Sequence, residues 1–286
     1  MMRSVTDQDR RRGWAHVIDG WEWDETLFAG TAGHYRRGRL PYAPGFAEAL
    51  GAELGLDGRG RLLDVGCGPG TVTAELAPCF EEAVGLDPDP GMLAEAARLG
   101  VPNARWVRAR AEDLPAGLGE FRVVTFAQSF HWMDRARVAA TVRDMLEPGG
   151  ALVHISDRQE VAAPAAGLLP PYQRITELVR RYLGPVRRAG QGRIAGGETP
   201  AGEDAVIAGA GFTGRTRLVV PAGQVVERSA DDVVAWTLSL SGSAPHLFGD
   251  RLAEFERDLR ALLHEAAPDG RFAEQPRPTE IRIWRR

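Results

Sequence analysis

Asp64, Gly66, Gly68, Gly70 and Asp87 fall close together in the sequence, and their types suit a place where a polar ligand meets the backbone. The first four stand in LLDVGCGPGT, residues 62 to 71, where an apolar run meets an acid and then three glycines at alternate positions. Glycine accepts the backbone conformations of a tight turn and lets a ligand come close enough for main-chain N–H groups to meet its polar atoms. The spacing is G-x-G-x-G, not the G-x-G-x-x-G of nucleotide-linked dehydrogenases. Asp64, two residues before the first glycine, is placed to reach a cationic group on the ligand. Asp87 comes 17 residues after Gly70, at the end of the next apolar run, where a carboxylate can hold both hydroxyls of a ribose. His131, in SFHWM, is the candidate base: an imidazole titrating near neutrality can take a proton from a nucleophile. The competing reading of His131 is a residue that packs against a bound ligand or orients a loop.

These residues need a scaffold, and the pattern around them supplies one. RLLDV (61–65), EAVGLD (82–87), ARWVRA (104–109), FRVVTFA (121–127) and ALVHIS (151–156) read as buried strands. Helical stretches lie between them, including PGMLAEAARLG and RARVAATVRDMLEPGG, which end in glycine. Such alternation implies a parallel sheet with helices on both faces, and a ligand beyond the carboxyl ends of the strands. After residue 157 the rhythm changes. YQRITELVRRYLG carries a helical stripe of Ile175, Leu178, Val179, Tyr182 and Leu183, and RRAGQGRIAGGETPAGED is glycine-rich. TRLVVPAGQVV reads as a strand pair or a bent strand, ADDVVAWTLSLS and DRLAEFERDLRALLHEAA as helices, and TEIRIWRR as a closing strand. The first 40 residues, with Trp14, Trp21, Trp23 and Phe28 among charges, read as a helical cap.

Composition removes several classes. The chain of 286 residues has a net charge of −4 with its charges interspersed, so neither nucleic acid nor an anionic membrane is an expected partner. It contains 35 arginines and no lysine, which excludes Schiff-base enzymes and P-loop nucleotidases. Two cysteines, Cys67 and Cys79, give neither a disulfide framework nor a zinc site. His154 reads as a core residue, and the remaining histidines have no metal-ligand spacing. With no apolar leader and no run near 18 apolar residues, a cytoplasmic location is expected.

LLDVGCGPGT, GLDPDPGML, RAEDLP (110–115), FAQSFHWMD and LEPGG together resemble the class I S-adenosylmethionine-dependent methyltransferases over residues 35 to 156. Within that family they are similar to the trans-aconitate and small-molecule natural-product enzymes. HYRRGRLPYAPG, residues 34 to 45, is similar to that subgroup's cofactor-covering helix. The resemblance implies a Rossmann-like α/β fold: a seven-stranded, mostly parallel sheet with helices on both faces, an N-terminal helical cap and a helical insertion after strand five. It implies a single methyltransferase domain, with a cap (1–45), cofactor-binding core (46–156), acceptor lid (157–205) and C-terminal strands and helices (206–286). It also implies that Tyr35 and Arg39 face the methionine end of S-adenosylmethionine, that Gly66 and Gly68 line it, and that Asp87 holds the ribose. Ala111 and Glu112 would meet the adenine edge and Gln128 would lie beside the sulfonium. Arg110 stands where the family often has an acid.

The implied reaction is displacement of a methyl group from the sulfonium by an O, N or C nucleophile of a small molecule, leaving S-adenosylhomocysteine. Residues 1–33, 157–205 and 225–250 should build the acceptor pocket. Trp14, Trp21, Trp23 and Trp236 read equally as an aromatic lid over a partly apolar acceptor or as core packing, and Arg39, Arg158 or Arg174 would instead bind a carboxylate acceptor. Oligomeric state is open. Two alternatives have other consequences: a cofactor-binding sensor or partner subunit, disfavoured by the long capping insertion, and an NAD-linked dehydrogenase, disfavoured by Asp64 and the glycine spacing.

Overall fold

The short apolar runs do become strands: β1 (Arg61–Val65), β2 (Glu82–Asp87), β3 (Ala104–Arg108), β4 (Phe121–Ala127) and β5 (Leu146–Asp157). The computed structural model describes residue 24 and residues 26–157, 168–189, 192–194 and 202–286. β5 starts five residues before the expected ALVHIS run. The preceding helix stops at Met145 because Leu146 is already extended, and Pro148, Gly149 and Gly150 follow. Leu146 then pairs with Phe121 at the start of β4.

Two further strands, β6 (Thr213–Val220) and β7 (Thr279–Arg285), complete a seven-stranded sheet in the order β3-β2-β1-β4-β5-β7-β6. β1 to β5 are parallel, and β7 runs antiparallel between β5 and β6. From β1 the chain builds outward to β2 and β3, then crosses to β4 on the other side. The switch of direction leaves a crevice beyond the carboxyl ends of β1 and β4, where open α/β sheets bind ligands.

Apolar side chains on both sheet faces are covered. Val138, Ala139 and Val142 of a helix at Arg135–Met145 pack with Phe126 and Leu152 on one face. Phe46 and Leu50 of a helix at Phe46–Leu54, with Val72 and Leu76 of another at Thr71–Leu76, pack with Val123 and Ile281 on the other. Fully burying one such side chain stabilises the fold by roughly 1.5–3 kcal/mol.

A third core lies apart from the sheet and joins distant parts of the sequence. Ile175 and Leu178 of a helix at Tyr172–Leu183 pack with Val233 and Leu238 of the helix Ala230–Leu238 and with Phe255, Leu259 and Leu263 of the helix Leu252–Ala266. The insertion after β5 and the segment between β6 and β7 therefore form one helical unit, where the sequence had shown an insertion and separate C-terminal helices. The TRLVVPAGQVV stretch is not a self-paired hairpin. β6 ends before Pro221, and Val226–Ser229 pairs antiparallel with Arg271–Glu274 instead.

The cap is fastened to this helical unit. A helix at Ala32–Gly38 crosses the Ala230–Leu238 helix so closely that a Cβ on Gly38 would collide with the main chain of Ala235 and Trp236. The buried Arg228 donates from Nη2 to Gly38 O (2.7 Å) and Asp232 O (2.8 Å), while Arg37 pairs with Asp231 and Asp232. Among the described residues, no helix is long and apolar enough to cross a membrane.

Candidate functional site

The glycine turn after β1 uses its three glycines differently. Gly66, Gly68 and Gly70 all have positive φ, at 70°, 54° and 78°. A Cβ on Gly66 would lie 2.6 Å from Ser129 Cβ, and one on Gly70 would lie 2.6 Å from the Trp106 ring. At Gly68 a Cβ would meet nothing within 4 Å, so its α-carbon faces open space over the crevice. The Gly68 N–H donates to Asp87 Oδ2 (2.9 Å), which ties the turn to the end of β2.

Asp87 also accepts from the Asp89 N–H through Oδ1 (2.9 Å) and lines the crevice. Burial pushes its carboxyl up to about 6, against the opposing pull of the two N–H donors. Asp64 does not line the crevice. It is fully buried, and its carboxylate accepts from Thr73 Oγ1 (2.6 Å) and Thr125 Oγ1 (2.8 Å). The expectation that Asp64 reaches a ligand cation is therefore corrected: β1 is buried on both faces, and this acid clasps the turn's helix to β1 and β4.

Ala111 and Glu112 sit in the wall beside Asp87. The Glu112 carboxylate is turned away toward the helix at Arg135–Met145, accepting from the Asp134 N–H through Oε1 (2.8 Å). Arg137 also donates to the Glu112 carbonyl (2.8 Å). An adenine contact through that carboxylate would have to compete with this bond. Arg110 pairs with Asp113.

Two compartments meet beyond the glycine turn. The first is walled by Leu86, Asp87, Met92, Ala111 and Met133. The second, about 530 Å³, is lined by Arg36, Arg39, Tyr42, Thr71, His131 and Asp157. Tyr35, Gly66, Gly68 and Gln128 line both. Gln128 has a φ of 53°, which costs a non-glycine residue on the order of 1–3 kcal/mol and marks a site held in place by its surroundings. Arg39 donates to Ser239 O (3.1 Å), its guanidinium lies 4.9 Å from the Tyr35 ring centroid, and its buried Nε has no partner among the described residues.

His131 stands in the turn Phe130–Trp132 that follows β4, with its ring 4.7 Å from that of Trp132. Burial, helped by the charge of Arg135, lowers its pKa to about 4. It is neutral at pH 7 and able to accept a proton, but it does not titrate near neutrality as the sequence suggested. His154 is a core residue whose Nδ1 lies 2.9 Å from the Arg282 guanidinium.

Two expected acceptor residues lie elsewhere. Arg174 pairs with Glu265, and Trp236 packs against Tyr172 at 4.5 Å in the third core. Trp14, Trp21, Trp23 and Arg158 lie outside the described residues. Trp132, by contrast, lines both compartments and was not singled out from SFHWM, although it adjoins His131. Phe28 joins it there, so one cap aromatic does reach the site.

Comparison of the sequence with other proteins shows a family. A model described as a methyltransferase domain matches residues 62–150, which run from β1 into β5. An uncharacterized methyltransferase of Mycobacterium tuberculosis is 36% identical over 125 residues, 44% of this chain and 49% of the relative. A trans-aconitate 2-methyltransferase of Deinococcus radiodurans is 30% identical over 186 residues, 62% of this chain and 67% of the relative. The chain belongs to the class I S-adenosylmethionine-dependent methyltransferases. The matched segment covers the glycine turn and most of the five parallel strands, and the mycobacterial match spans only about half of that relative's length.

Proposed function

We propose that this methyltransferase transfers the methyl group of S-adenosylmethionine to a small-molecule acceptor, with residues 46–156 and the cap's Tyr35 and Arg39 holding the cofactor, and the helical unit and the rest of the described cap shaping the acceptor side. The observation that carries this reading is the pair of compartments sharing one wall at Gly68 and Gln128. One offers a ribose-suited carboxylate among apolar surfaces, and the other offers guanidinium and imidazole groups.

The residues fit the cofactor. Gly68 leaves open space against the main chain, and Asp87 points a carboxylate into the first compartment, beside apolar Leu86, Met92 and Ala111. In the second, the guanidinium of Arg39, which lines the compartment, suits the methionine carboxylate, with Tyr35 beside it. Gln128 lies between, and Gly66 closes the turn against Ser129. When bound, S-adenosylmethionine supplies a methyl group open to in-line displacement, the bond's electron pair staying on sulfur. The chain's own work is to hold the acceptor in line and to exclude water, and positioning of this kind is worth roughly 7–11 kcal/mol. His131, neutral and facing the second compartment, takes the proton that an O or N nucleophile gives up, as a weaker base than an imidazole that titrates near pH 7.

The second compartment carries Arg36 and Arg39 against one carboxylate, Asp157, among its described lining residues. One guanidinium neutralises the cofactor's carboxylate, and the other favours an acidic acceptor, the class that the name of the Deinococcus relative points to. Cys67, a buried free thiol in the glycine turn, suits a reducing compartment, and we place the enzyme in the cytoplasm. The test uses methyl-labelled S-adenosylmethionine with a panel of di- and tricarboxylates and neutral phenols. Label should pass to an acid together with release of S-adenosylhomocysteine. Transfer to phenols and to none of the acids would overturn the acceptor class, and transfer to no member of a broad panel would count against catalysis.

A further inference from the structure

Phe28 and Trp132 each line both compartments, the same two-sided position held by Gln128. Phe28 comes from the cap before the Ala32–Gly38 helix, and Trp132 from the turn Phe130–Trp132 that follows β4. Their ring centroids are 5.6 Å apart and their planes stand at 88°. Neither residue belongs to any of the three cores, although large rings ordinarily contribute most where they are buried in one. Both are half-buried, with surface turned to the crevice. Tyr35, a third ring at the same divide, already holds the Arg39 guanidinium near its face, so this part of the site uses a ring against a positive charge.

If the adenosine lies with Asp87 and the methionine carboxylate with Arg39, the atom linking them lies where the compartments share a wall. That atom is the sulfonium, a cation with no N–H or O–H to donate. An aromatic face attracts such a cation within about 6 Å of its centroid, tryptophan most strongly, and more so where water is excluded. We propose that Phe28 and Trp132, set edge to face, wall a corner that clamps the sulfonium against an open ring face, reads its positive charge and makes the protein prefer S-adenosylmethionine over neutral S-adenosylhomocysteine. The inference rests on the methyltransferase reading. It also gives the clamp a part in turnover. Methyl transfer moves the methyl to the acceptor, returns an electron pair to sulfur and leaves it uncharged. The ring attraction that held the reactant is then absent from the product, which leaves more readily.

The two ligands differ by one methyl group and its charge, so their affinities separate charge recognition from packing. Calorimetry without acceptor measures S-adenosylmethionine and S-adenosylhomocysteine in turn, with folding checked by circular dichroism. Trp132→Leu should weaken S-adenosylmethionine at least about fivefold and S-adenosylhomocysteine less than about twofold. Trp132→Phe, which keeps a ring face, should restore most of the preference. Phe28→Leu, on the cap and outside the cores, should repeat the pattern to a smaller extent and serves where the Trp132 variant fails to fold. Equal weakening of both ligands, or no change in either, would overturn the clamp while leaving the methyltransferase reading intact. Failure of the unmodified protein to bind either ligand would overturn both.

Discussion

Asp87→Asn separates two things that the wild-type carboxylate does at once. In the fold its oxygens accept from the Gly68 and Asp89 N–H groups, and burial raises its pKa from 3.8 to about 6. At 1.36 kcal/mol per pK unit, the ionised carboxylate costs the unliganded fold about 3 kcal/mol. The folded value lies above the unfolded one, so this cost is absent below about pH 4, grows between about 4 and 6, and is complete above. The wild type therefore loses stability as pH rises through that window, and an asparagine does not. The amide has one acceptor oxygen where the carboxylate has two, and turning its NH₂ toward a backbone N–H costs about 1–3 kcal/mol at every pH. These effects nearly offset at pH 8. Urea unfolding at pH 5 and pH 8 should show the variant gaining on the wild type by about 1 kcal/mol across that interval. Its affinity for S-adenosylhomocysteine at pH 8 should fall at least about tenfold. Wild-type affinity should decline as pH drops below about 6, while that of the variant stays flat. A stability difference that ignores pH would refute the raised pKa, and an unchanged dissociation constant would refute the ribose contact.

His131→Ala should slow single-turnover methyl transfer by about 10², and the wild-type rate should lose its base limb only below about pH 5, since His131 is held near 4; a limb at pH 6–7 would contradict that environment. Gly66→Ala and Gly68→Ala both force a side chain into positive φ, at roughly 1–2 kcal/mol, but only the first meets Ser129. Thermal melts should show Gly66→Ala much the less stable, whereas Gly68→Ala should fold and bind cofactor poorly. Arg228→Met removes a buried guanidinium that pairs with Glu274 (3.0 Å) and donates to Gly38 O, so urea titration should register a loss of about 3–5 kcal/mol, and limited proteolysis should cut the cap sooner.

What the residues revealed in advance follows the range of the interactions involved. β1 to β4 and the glycine turn depend on neighbours a few positions apart, and so were readable from apolar runs and glycine spacing. Asp64 was misjudged because its partners, Thr73 and Thr125, lie 9 and 61 residues away. Its place inside RLLDV, a strand with no solvent face at that position, was the available signal. The stripe on YQRITELVRRYLG correctly marked a buried face but not what covers it. That is the Leu252–Ala266 helix some 80 residues later, and amphipathicity does not name a distant partner. His131 was found by residue type, but its low pKa depends on burial and on Arg135, which only the folded turn brings into play. Trp132 went unmarked because an aromatic beside a histidine reads as packing until both compartments can be seen to share it.

If the crevice over Gly68 and Asp87 holds an S-adenosyl cofactor, calorimetry on the unmodified chain will register its binding. Titrating S-adenosylhomocysteine at pH 8 should give one site with a micromolar dissociation constant, about −8 kcal/mol, and NAD should bind far more weakly. No heat with S-adenosylhomocysteine, or tighter binding of NAD, would contradict it.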